Sequence, residues 1–187
     1  MKHELWYSVV VRDRHGKVVS RERRRSKSFL KQWNELVCVQ LSQANVSMRD
    51  TSGNLNPVPP YQWSFGMNAI AGNTDYGIRV GTGNTPVAID DYALDEPIDE
   101  GDGAGQMEHL ICTVAGYVVA APSCSFEVSR TIVNNSPAVI TVREAVIYMQ
   151  ARYTDAWYCA TRDILTVPQA VPIGGSITID WTIQVTV

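Results

Sequence analysis

The stretch Ser176-Ile177-Thr178-Ile179-Asp180-Trp181-Thr182-Ile183-Gln184-Val185-Thr186-Val187 alternates without a break, an aliphatic residue or tryptophan at every second position and a polar residue between. Side chains switch faces at each step along a strand, so this segment has one apolar and one polar face. A helix of the same sequence would scatter the isoleucines around its axis. An extended strand needs neighbours for its backbone groups and a second layer for its apolar face. The segment therefore predicts a strand inside a layered β fold.

Other segments repeat the pattern. Residues 125–133 and 139–148 alternate in the same way and are joined by the turn signal Asn134-Asn135-Ser136-Pro137. Near the start, Leu5-Trp6-Tyr7-Ser8-Val9-Val10-Val11-Arg12, the turn Asp13-Arg14-His15-Gly16 and Lys17-Val18-Val19-Ser20 read as a β-hairpin. Phe29, Trp33, Leu36, Val37 and Leu41 share one stripe of a helix over residues 29–41, with Ser26 or Ser28 as its N-cap. Residues 46–50 read as a strand, Thr51-Ser52-Gly53-Asn54 as a turn, and Asn56-Pro57-Val58-Pro59-Pro60 as a break in regular structure. Gly77 to Val80 reads as a strand that ends in a hairpin turn at Gly81-Thr82-Gly83-Asn84, and residues 90–105 as a long acidic, flexible loop. Roughly seven to nine strands at these spacings predict a mainly β protein, an antiparallel β-sandwich or jelly roll with an N-terminal β-hairpin and one amphipathic helix. Residues 1–56 are expected to form a hairpin-helix appendage integrated with the core, and residues 57–187 the sandwich.

Charge is distributed unevenly. Residues 1–31 hold ten Lys or Arg against three acids, a balance of +7; the rest holds six arginines against sixteen acids, a balance of −10, which together give the net −3. Arg21, Arg23, Arg24, Arg25 and Lys27 form the densest basic tract. Asp90, Asp91, Asp95, Glu96, Asp99, Glu100 and Asp102 form an acidic one with no base among them. Unlike patches on one chain steer copies of it toward one another, so both tracts are expected to be interfaces, the basic tract meeting an acidic surface. Nucleic acid is not an expected partner, because the acidic remainder repels phosphate and one basic tract has no base-reading element.

The sequence offers little catalytic chemistry. His3, His15 and His109 are the only histidines, and none belongs to a recognisable nucleophile motif. Gly81-Thr82-Gly83-Asn84 lacks the spacing of a phosphate loop, and the acidic loop lacks the ligand order of an EF-hand. Cys38, Cys112, Cys124 and Cys159 form no CxxC pair and read as mostly reduced core residues. No enzymatic activity, cofactor or metal is expected. No apolar run reaches the roughly 18 residues of a membrane span, and the first residues do not read as a signal peptide, so a soluble protein without a membrane partner is expected. Some of Trp6, Trp33, Tyr61, Trp63, Tyr153, Trp157, Tyr158 and Trp181 could form a sugar-stacking platform.

The order of segments also carries a likeness. Val80-Gly81-Thr82-Gly83-Asn84-Thr85-Pro86-Val87, Asp90-Asp91-Tyr92-Ala93-Leu94, Pro97-Ile98, Phe126 to Ser136, Val142 to Tyr148, Ala160-Thr161-Arg162-Asp163 and Ile173 to Ile179 together resemble a β-rich family of structural proteins of tailed phages and related prokaryotic viruses. Residues 11–19 and Ser28-Phe29-Leu30 resemble openings in the same group. The resemblance spans about residues 77–187 and has no catalytic signature. It implies a non-enzymatic accessory virion component that decorates the head or belongs to the neck or tail. Such a protein is made in the host cytoplasm, resides in the virion, and has copies of itself and other virion proteins as partners. The alternative is a carbohydrate- or receptor-binding module of a viral fibre, using Trp157 and Tyr158 with loop carboxylates.

Overall fold

The computed structural model describes residues 2–26, 29–42, 44–60, 65–151 and 156–186. The alternating segment is strand β11 (Ser176–Thr186), and it lies between β1 (Lys2–Arg12) and β8 (Ser123–Val133). Ile177, Ile179, Trp181 and Ile183 are buried. On the opposite face the polar residues pair across strands: the Thr178 and Thr131 hydroxyls lie 2.8 Å apart, and Ser129 donates to Asp180 at 2.5 Å. β2 (Val18–Arg25) flanks β1, β6 (Glu108–Val114) flanks β8, and β7 (Val118–Ala120) pairs with the first residues of β8. Every ladder is antiparallel.

A smaller sheet packs on the apolar face of this one. Its order is β10 (Ala156–Val171), β9 (Ile140–Ala151), β5 (Gly77–Gly81), again antiparallel throughout. Tyr7, Val9, Val128 and Trp181 from the larger sheet share one buried cluster with Ile78, Ile147, Met149 and Tyr158 from the smaller. The result is a β-sandwich. On its other side the small sheet carries a second cluster, in which Val146, Tyr148 and Cys159 meet Leu30 and Leu94. β9 is thus buried on both faces. Helix α1 (Lys31–Ser42) and a ribbon of β3 (Val46–Arg49) with β4 (Leu55–Val58) complete the described residues.

Several elements differ from the sequence reading. The hairpin read as part of an appendage contributes an interior strand: β1 pairs with β11 along its whole length, from Lys2 opposite Thr186 to Arg12 opposite Ser176. The boundary at residue 56 falls within β4. That strand accommodates Pro57 because a two-stranded ribbon leaves one side of each strand free of ladder bonds. The helix buries Gln32, Leu36 and Val39, so its inward stripe is rotated from the one read through Val37. Ser26 lies too far ahead of it to cap and donates instead to Asp163 at 2.5 Å; Ser28 is outside the described residues. Gly81 to Asn84 is no hairpin turn, since β5 pairs with β9, far along the chain. Cys112 and Cys159 are core residues, with thiol pKa values raised chiefly by burial, whereas Cys38 and Cys124 are exposed. The structure also contains β6, β7 and most of β10, which no alternating pattern in the sequence marks.

Two buried polar side chains fasten loops to the larger sheet. Arg130, on the inner face of β8, donates to the carbonyls of Leu110 (2.7 Å), Ile78 (2.9 Å), Asn73 (2.8 Å) and Ile70 (3.2 Å). Nearby, His109 Nδ1 lies 2.9 Å from Glu100 Oε2 and 3.1 Å from the Met107 carbonyl, both acceptors, so Nδ1 carries the proton. Burial, reinforced by Arg130, lowers the His109 pKa from 6.5 to about 4, although Glu100 opposes the shift. A histidine depressed in the folded state takes up a proton on unfolding between these two values. Stability is therefore full above about pH 6.5 and declines as pH falls toward 4, by about 1.4 kcal/mol per unit at most. Urea titrations across that window should show the slope, and His109→Gln should flatten it.

Candidate functional site

The acidic segment runs across the outer face of the small sheet, where Glu144 of β9 and Arg162 of β10 hold it. Glu144 is fully buried. Its carboxylate accepts the backbone amides of Glu96 at 2.9 Å and Asp95 at 3.2 Å, and Arg162 Nε at 2.8 Å. Arg162 also donates to Asp91 at 2.8 Å and to the Thr85 carbonyl at 3.2 Å. Burial works against the charge of Arg162, but Asp91 and Glu144 more than offset it and raise its pKa. Gly81 and Gly83 permit this approach: a Cβ on either would lie 2.5 Å from a Glu144 carboxylate oxygen. Above this network, Tyr148 accepts the Leu94 amide at 2.8 Å while Leu94 fills the second core cluster. The segment read as a flexible loop is a fixed ledge.

Side chains of the ledge are fastened as well. Thr85 donates to Asp95 at 2.6 Å, the largest cause holding that exposed carboxyl below its usual pKa. Thr82 donates to Glu96 at 2.9 Å, Asp99 lies 3.6 Å from Arg79, and Glu100 takes His109. Asp90 and Asp102 are exposed.

The basic tract, read as following the hairpin, is the second half of β2. Arg21, Arg23, Arg24 and Arg25 are exposed there, whereas Glu22 turns inward and accepts Tyr7 and Gln169 at 3.3 and 3.4 Å. Arg23 lies over the Trp6 ring at 5.7 Å, Arg25 bonds Glu4 at 2.9 Å, and Arg24 reaches Glu22 at 3.3 Å. Lys27 is outside the described residues.

The sandwich brings parts of the two tracts to two hollows beside β10, each next to a third, apolar hollow, and the three together make a trough. The basic end is a hollow of about 550 Å³ lined by Trp6, Arg23, Arg24, Arg25 and Thr166. Its floor, Asp163 and Ile164, continues into an apolar hollow of about 630 Å³ walled by Phe29, Leu30, Pro86, Val87 and Ile89. The wall then leads into an acidic hollow of about 380 Å³ lined by Asp90, Asp91, Tyr92, Asp95 and Arg162. Arg21 lies farther along β2, opposite Val10. Glu96, Asp99, Glu100 and Asp102 do not line these hollows.

Sequence reasoning missed Glu144, Arg162, Asp163 and Ile164. Glu144 had a legible signal, since period two sets it on one strand face with Val146 and Tyr148, where a charge must find a buried partner. Of the aromatics considered for stacking, Tyr158 and Trp181 are in the core, and Trp33 packs on Phe29 and Phe65 at 4.9 and 5.8 Å. Tyr61, Trp63 and Tyr153 are outside the described residues. Trp6 lies at the basic end of the trough, and half-buried Trp157 lines a separate hollow with Thr51, Ser52 and Arg79. Among the described residues no group of three His, Cys, Asp or Glu is placed to hold a metal ion, and no helix is long and apolar enough to cross a membrane. No family model matches the chain, and no curated protein or solved structure shows significant similarity to it.

Removing Glu144 should release the ledge. Glu144→Ala leaves Arg162 without its buried partner and two amides without an acceptor, an expected cost of about 3–5 kcal/mol in a denaturant titration. Amide exchange at Asp95 and Glu96 should accelerate in the same variant.

Proposed function

We propose that this chain is a non-enzymatic structural subunit that assembles in multiple copies through charge-complementary contacts, as an accessory component of a virus particle on the head surface, neck or tail. The observation that carries the assembly reading is the trough, with Arg23, Arg24 and Arg25 at one end, Asp90, Asp91 and Asp95 at the other, and apolar residues between. A surface with separated charges orients a partner, while an apolar centre supplies burial that charges in water do not. The likeness of residues 77–187 to virion proteins supports the particle. The work of such a subunit is mechanical, many modest contacts summed over copies.

The reading is tested by sedimentation velocity at increasing salt. Self-association should weaken as salt screens the trough, and R23E/R24E/R25E should reduce the association constant at least tenfold at low salt. Association that ignores both salt and the reversals would remove charge complementarity from the proposal. Immunogold labelling and mass spectrometry of purified particles test the location, and particles lacking the chain would refute it.

A further inference from the structure

The larger sheet has two edges of different chemistry. One is β2, whose exposed arginines discourage pairing with a like strand. The other is formed by β6 followed by β7. The first part of β6 is covered by residues 69–72, because Cys112 donates its amide to the Ala69 carbonyl at 2.8 Å and Gly72 donates to the His109 carbonyl at 2.9 Å. Among the described residues that cover ends beyond Cys112, and β7 pairs with β8 alone, Val118 opposite Ser125, Val119 opposite Cys124 and Ala120 opposite Ser123.

This uncovered stretch is apolar and carries no charge. Leu110 through Phe126 contains no Asp, Glu, Lys or Arg. Tyr117 is 76% exposed, Val118 61% and Val119 70%, with Ile111 and Val114 exposed beside them. Soluble proteins commonly protect an edge with charges, a bulge or a covering segment. The small sheet does so: a bridge from Gly81 to Pro97 crosses β5, and Phe29 and Leu30 bond to β10 at Thr161 and Ala160.

We propose that β7 is a docking edge for β7 of a second copy, the two strands pairing antiparallel about a two-fold axis so that the larger sheets of two subunits run into one. Antiparallel strands related by a two-fold present the same residues to each other, so one strand suffices to specify both sides. Although each chain carries a net charge of −3, the absence of charge between Leu110 and Phe126 lets like edges meet without close repulsion. A partner strand with charged side chains would instead set them against Val118 and Val119. With three residues in β7 the contact is small, which suits a weak interface repeated in an assembly.

This contact is independent of the trough and is measured at high salt, where the charged contacts are screened. Sedimentation velocity of the full chain with Cys38 and Cys124 changed to serine should show a monomer–dimer equilibrium there. V118K/V119K should weaken it at least tenfold, and far-ultraviolet circular dichroism with thermal unfolding should match the parent because both residues are exposed. In the same background, Val118→Cys and Val119→Cys, each alone, test the pairing. At least one should give a disulfide-linked dimer under mild oxidation several times faster than Leu55→Cys, an exposed control on β4. A monomer at all concentrations, a dimer indifferent to V118K/V119K, or no excess of cross-linking over the Leu55 control would overturn the proposal. A different protein captured on this edge while the chain stays monomeric would overturn it too.

Discussion

The small sheet depends on a carboxylate that no water reaches. Glu144 sits at a strand position where the pattern of its neighbours calls for an aliphatic residue, and its charge is held by Arg162 and two backbone amides. A buried charge lacking such partners is costly, so the arrangement exists only while Arg162 and the ledge are both in place. From this follow the other features of that side. Glycines occur at positions 81 and 83 because side chains there would collide with the carboxylate. Leu94 reaches the second core cluster because the ledge is fixed beside it. One wall of the trough is therefore hydrogen-bonded to the sheet below it.

The legibility of this fold in its sequence follows local pattern closely. β8 and β11 alternate because one face of the large sheet meets the core and the other meets solvent, β1 shows itself by its β-branched and aromatic content, and all three are readable to within a few residues. β9 alternates less clearly, being buried on both sides. β10 was hidden by its bulges between Cys159 and Thr161 and between Ile164 and Gln169, which break period two in a strand otherwise long enough to announce itself. β6 and β7 have too little polar contrast to show a period. Both charged tracts could be read, but their placement beside one strand could not: Arg23 and Asp91 line separate hollows next to β10, an arrangement no local window contains. The net charge of the acidic tract also overstated its openness, since Asp91, Asp95, Glu96, Asp99 and Glu100 have partners within the chain.

Polar groups in the two cores divide the labour. Arg130 gathers four carbonyls from three separate stretches and so stands in for a strand that the loop residues 70–73 do not form. His109 fixes Glu100, and with it the far end of the ledge, at the point where β6 begins. These contacts leave the outer rims of the sandwich as the places where surface chemistry varies: arginine along β2, carboxylates on the ledge, valine and tyrosine at β7. A domain built in this way keeps its interior contacts apart from the side chains at its rims.

The pairing of β1 with β11 has a consequence in time as well as in space. Arg12 is bonded into the sheet beside Ser176, and Leu5 beside Ile183. Until β11 has been synthesised, β1 has only β2 as a partner, and an isolated two-stranded hairpin is marginal in water. Ladders between such distant segments place the domain among slow-folding topologies, in which loop closure precedes any reward from contact. Leu5, Tyr7 and Val9 consequently lack this support until β11 is in place. The β1–β11 ladder acts as a clasp, so the large sheet is complete only when two segments far apart in the sequence have met.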